Sequence, residues 1–156
     1  MRFDYKRYRQ DRGADIGRPI IQVILRNLRD PHAPVIAYEA LVDSGSDRNI
    51  FPSELAELLG IDLTATEDVR YVGGVVAGER RPVYFHPVEM EVGSLGGPAF
   101  MTMVGFMPEF SKGGHGLLGR KGFFNEFSFV KFKDAERIIE IGSMIRLRLG
   151  KSTARK

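Results

Sequence analysis

Ala40-Leu41-Val42-Asp43-Ser44-Gly45-Ser46 is a short apolar run that stops abruptly at a carboxylate, a hydroxyl, a glycine and a second hydroxyl. Such a run reads as the end of a buried strand, and the break reads as a loop. The glycine can take backbone angles closed to other residues, so the main chain can turn tightly beside the carboxylate. The hydroxyls of Ser44 and Ser46 can hydrogen-bond the carboxylate or neighbouring backbone and hold it in one orientation. Asp43 is therefore expected to be a positioned acid. Taken alone, the same four residues also make an ordinary Asx or Ser turn, so their meaning depends on what surrounds them.

Working outward, Pro19–Leu28 contains the β-branched run IIQVIL, a convincing strand. Turn chemistry from Asn27 to Pro34, with two prolines in RDPHAP, returns the chain into a second strand, Val35–Val42. Beyond the acidic loop, Pro52–Leu59 begins with proline, places Leu55, Leu58 and Leu59 on one face and stops at Gly60, which predicts a short helix. Val69–Val76 and Pro82–Val92 are strand-like runs joined by a Gly-rich connection, a long hairpin. Ala99–Met107 is a further strand. A short helical stretch at Lys121–Glu126 and strands near Phe127–Phe132 and Arg137–Ile141 complete the chain. Many short strands and only one or two short helices predict a mostly β fold, closed or sandwiched on itself.

About seventy residues after Asp43, His115-Gly116-Leu117-Leu118-Gly119-Arg120 sets two leucines between glycines and runs into GFFNEF. With this second piece the chain resembles the retropepsin-like family of aspartic proteases over roughly Ile20 to Ile141. That family shows, in this order, an apolar strand, D-(S/T)-G-(A/S), a flap hairpin and an apolar-apolar-Gly strand leading to a helix. Each motif is short; three in order and at this spacing are specific.

The resemblance implies a closed acid-protease β-barrel spanning 17–143; the sequence itself reads as an irregular or loosely attached basic arm over 1–16 and a basic tail over 144–156. It implies Asp43 as the catalytic residue, with Ser44 exchanging hydrogen bonds with its twin across a dimer and Gly45 admitting a backbone N–H to the carboxylate. Ser46 would hydrogen-bond the outer oxygen of Asp43. Val72, Gly73, Gly74, Val75, Val76, Ala77 and Gly78 would form a flap over a bound peptide, and Leu117, Leu118 and Gly119 the strand behind the catalytic loop. With one D-S/T-G in 156 residues, catalysis would require a homodimer, whose two Asp43 carboxylates share a proton because like charges that close cannot both ionise. The handling of a peptide or protein substrate would then be endopeptidase chemistry. The other reading is a dimerisation or peptide-binding module of the same fold with little or no catalysis. Lys121 departs from the family, which usually places Asn or Asp after the arginine, and Asp47 and Arg48 add charges just beyond the motif.

Composition narrows the remaining choices. With no cysteine there is no disulfide, thiolate metal site or cysteine nucleophile, and a reducing cytoplasm is compatible. The start MRFDYKRYRQDRG carries charge where a secretory leader needs an apolar run, and no stretch has the ~18 consecutive apolar residues of a spanning helix. Basic side chains concentrate at the two ends, leaving the body acidic. Short basic tails are usually just solvated, so nucleic acid is not an expected partner, although Phe3, Tyr5 and Tyr8 interleave with the charges. Gly73, Gly74 and Gly78 lack the spacing of a phosphate-binding loop, and His32, His86 and His115 lack that of metal ligands. No cofactor and no metal are expected.

Overall fold

In β4 (Ile20–Asn27), six of eight side chains are buried, which is too many for a strand with one wet face. The cause is its place in the sheet. Ile20–Leu25 pairs antiparallel with β5 (Ile36–Val42), and Val23–Asn27 pairs on the other side with β8 (Arg80–Val92). The second pairing closes a ring. Running round it, β4 and β5 are followed by β10 (Gly116–Leu118), β6 (Asn49–Pro52), β9 (Ala99–Met107) and β8, a closed six-stranded barrel in a mostly β chain. This is a computed structural model, and it describes residues 1–8, 16–65, 68–73, 80–110 and 114–145.

The thirteen residues of β8 serve three neighbours, pairing with β9 along Tyr84–Glu91, with β4 near one end and with β7 (Val69–Gly73) near the other. The β7–β8 hairpin thus runs on from the barrel wall. Inside, Leu25, Phe51, Met90, Phe106, Leu118 and Phe123 are fully buried. A smaller apolar cluster of Ile50, Val83 and Phe85 packs with Met103, Met107, Phe110 and Leu117 beside the acidic loop. Between β6 and β7, the helix α1 (Glu54–Leu58) buries Leu55 and Ala56, and the chain leaves it through Gly60 at φ +67°. The left-handed region there suits glycine.

Three expectations change. The N-terminal segment is not irregular where it is described: β1 (Arg2–Asp4) pairs antiparallel with β12 (Ile138–Ile141), which pairs with β11 (Val130–Lys133) in a separate three-stranded sheet. β2 (Lys6–Tyr8) pairs with β3 (Ile16–Arg18). The physical reason is that Tyr5 is buried and Phe3 packs against the core, so these aromatics anchor the segment. Residues 9–15 of the expected arm lie outside the described residues. The predicted helical stretch at Lys121–Glu126 is a single 3-10 turn, Phe124–Glu126, and the strand expected near Phe127–Phe132 begins only at Val130. Most of the C-terminal tail, 146–156, and Gly74, Val75, Val76, Ala77 and Gly78, expected in a flap, also lie outside the described residues. Among the described residues, no helix is long and apolar enough to cross a membrane.

Candidate active site

Strand β5 delivers Asp43, and β10 fixes it there. Leu117 and Leu118 lie parallel to Leu41 and Val42, and the Asp43 N–H donates to the Leu118 carbonyl at 3.0 Å. On its far side, β10 touches β6 through Leu117 and Ile50. The three-residue strand therefore sits between the strand entering the acidic loop and the strand leaving it. Two glycines make this possible. A Cβ on Gly116 would lie 2.6 Å from the Phe51 ring, and one on Gly119 would lie 2.4 Å from the Arg48 carbonyl oxygen.

Within the loop, the Gly45 N–H donates to Asp43 Oδ1 at 2.9 Å, and the Ser46 N–H to the Asp43 carbonyl at 3.2 Å. Asp43 as a whole residue is half-buried, the hydrogen bond to its Oδ1 is exposed, and Ser44 and Gly45 lie exposed beside it. Gly45 does not use the left-handed region; an added Cβ would sit 3.1 Å from Asp43 Oδ1, so the carboxylate would have to shift by a few tenths of an ångström. The hydroxyl of Ser46 differs from expectation. It donates to the Arg48 carbonyl at 2.8 Å, which commits its one proton there and not to the outer oxygen of Asp43.

Asn49 is a structural support of the loop that the sequence reading missed. Fully buried, it accepts the Gly119 N–H at 2.9 Å and donates to Thr102 Oγ1 at 3.3 Å, and Thr102 in turn donates to the Gly122 carbonyl. A buried amide with both ends satisfied ties the two halves of the loop scaffold together. The only local signal is a polar residue opening the apolar run Asn49-Ile50-Phe51.

A cleft of about 870 Å³ opens beside the loop, lined by Gly45, Ser46, Asp47, Arg48, Ile50, Arg70, Tyr71, Phe85, Arg120 and Lys121. Its rim is charged. Arg120 hydrogen-bonds Asp47 and, with its charge, holds that carboxyl below the usual range, with Lys121 and Arg48 adding to the effect. Arg70 does the same to Asp68, through a fork of 2.8 and 3.0 Å. Asp43 is not itself a lining residue, so the cleft begins one step from the acid. Val72 and Gly73 end β7, whose Tyr71 faces the cleft. Among the described residues, no group of three or more His, Cys, Asp or Glu side chains converges as a metal centre would.

The fold has a solved counterpart. The chain superposes on a retropepsin-like aspartic protease from Rickettsia conorii with a TM-score of 0.56 and 16% identity, covering 90% of this chain and 89% of that one. The fold is retropepsin-like. At that identity the likeness concerns the retropepsin-like fold alone. No protein-family model matches the sequence, and comparison with curated proteins gives no match either.

Proposed function

We propose that the protein is an aspartic endopeptidase acting as a homodimer, in which Asp43 of each copy supplies one carboxylate of a catalytic pair. The observation that carries this reading is Asp43 itself, half-buried in a retropepsin-like barrel, its Oδ1 held by the Gly45 N–H and its backbone by Leu118. A two-fold axis beside the loop brings two such carboxylates together, and they share one proton. The ionised carboxylate takes a proton from water as the oxygen attacks the scissile carbonyl, and the other gives its proton to the carbonyl oxygen. Collapse of the tetrahedral intermediate returns a proton to the leaving amine. No covalent enzyme intermediate forms. Residues 72–78 act as the flap that covers the peptide.

The second reading, a peptide-binding module without catalysis, draws on Ser46, whose hydroxyl bonds Arg48 instead of the acid. Peptide-library cleavage separates the two. Wild-type protein and Asp43→Asn are compared from acidic to neutral pH, with new termini detected by mass spectrometry. Cleavage by wild type that disappears in a folded, dimeric Asp43→Asn supports the enzyme. A folded wild type that cuts nothing, or a variant that cuts equally well, overturns it in favour of the module.

A further inference from the structure

The cleft beside the loop has more positive charge than its own carboxylates neutralise. Asp47 pairs with Arg120 and Asp68 with Arg70, while Arg48 and Lys121 form no ion pair among the described residues. Arg48 is also held in place. Its guanidinium carbon lies 5.6 Å from the centre of the Phe85 ring, and that of Arg70 lies 5.3 Å from the same ring. Two guanidinium groups share one ring, and four basic side chains line the cleft against one lining carboxylate, Asp47, which leaves a net positive charge in a partly apolar recess.

We propose that this cleft is a pocket for an acidic side chain of the peptide substrate, and that Arg48 is the residue that reads it. The inference rests on the endopeptidase reading for the word substrate, and deepens it by naming the class. Ile50, Tyr71 and Phe85 offer apolar wall to the methylene stem of a glutamate, and Arg48 meets its carboxylate in a charge-assisted hydrogen bond. Lys121, an exposed lining residue, adds attraction. A polyanion suits the place less well, because Asp47 and Asp68 flank its cations.

Binding tests this without depending on cleavage. Full-length Asp43→Asn is titrated against fluorescein-labelled short peptides that differ only in Glu or Gln at one position, scanned along the peptide and read by anisotropy. At one or two positions Glu should bind about tenfold more tightly than Gln, the worth of a charge-assisted hydrogen bond. The preference should shrink with salt and vanish as pH falls below about 4, where the peptide carboxylate is neutral. It should be lost in Arg48→Gln and reduced in Lys121→Gln, the latter an exposed site that keeps the test open should Arg48→Gln not fold. Equal affinities at every position, no binding of either peptide, or a preference untouched in a folded Arg48→Gln would overturn the proposal. So would displacement of the Glu peptide by a DNA oligonucleotide at lower concentration than by unlabelled Glu peptide. If wild type cleaves peptides with no acidic preference, this inference fails and the endopeptidase stands. If it cleaves nothing while acidic peptides bind through Arg48, the endopeptidase fails and the pocket stands.

Discussion

Gly119 has no space for even a methyl group, because the Arg48 backbone occupies the position a Cβ would take. Neither backbone can move alone, since Gly119 N–H is bonded to Asn49 and the Arg120 N–H to the Ser46 carbonyl. Gly119→Ala should therefore cost about 1–3 kcal/mol, as overpacking does, and lower the urea midpoint accordingly. Gly45→Ala is a different kind of change. Its Cβ meets the Asp43 carboxylate, a movable side chain, so if Asp43 carries the proposed peptide cleavage, that cleavage should fall while the urea midpoint hardly shifts. A parallel loss of stability would show that the loop backbone, and not the carboxylate, had moved. The Asp43 loop was legible in the sequence because its turn is made by neighbouring residues. Asn49 was not, because its partners lie 53 and 70 residues away, and the direction of the Ser46 hydroxyl depends on where the fold places the Arg48 carbonyl.

Long strands announced themselves, and short ones did not. β4, β5, β8 and β9 each carry enough β-branched or alternating apolar residues to show a period. β6 and β10, four and three residues long, have no period of their own and are strands only because the barrel pairs them. The N-terminal strands were hidden by their charges. Read at period two, Phe3 and Tyr5 alternate with Arg2, Asp4 and Lys6, and burial of those rings ties the segment to β12 and to the Arg137 carbonyl. Tyr5→Ala should cost about 3 kcal/mol, the scale of losing a buried aromatic ring, in chemical denaturation. An effect near zero would restore the picture of a loosely attached arm.

On the scale of the whole molecule, charge makes stability depend on pH. Hydrogen bonds from Arg26 and from the N–H groups of Gly96 and Gly97 hold the Glu91 carboxyl low; Arg120 does so for Asp47, Arg70 for Asp68 and Lys133 for Glu140. Their stabilisation is complete above the unfolded carboxyl range, about 4, and is lost as pH falls through the lower folded values. His86 acts earlier. Burial, helped by Arg29, lowers its pKa, so below about 6.5 the unfolded chain takes up a proton that the folded chain resists. The urea midpoint should thus decline in two stages from pH 7 downward, with His86→Gln removing the first. A wild-type midpoint flat between pH 7 and 5 would contradict the linkage. Assembly has its own signature: if one acid comes from each copy, excess Asp43→Asn mixed into wild type should silence cleavage by forming mixed dimers, whereas independent monomers would keep their rate. The placement of β10 has a further consequence, for the order of events during synthesis. Asp43 leaves the ribosome long before residue 118, which supplies the carbonyl that its N–H needs. A nascent chain ending near residue 110 should leave the amide of Asp43 open to hydrogen exchange, and the full chain should protect it. The acid is translated well before it is built, so a growing polypeptide carries the loop without its scaffold until residue 118 has followed it out.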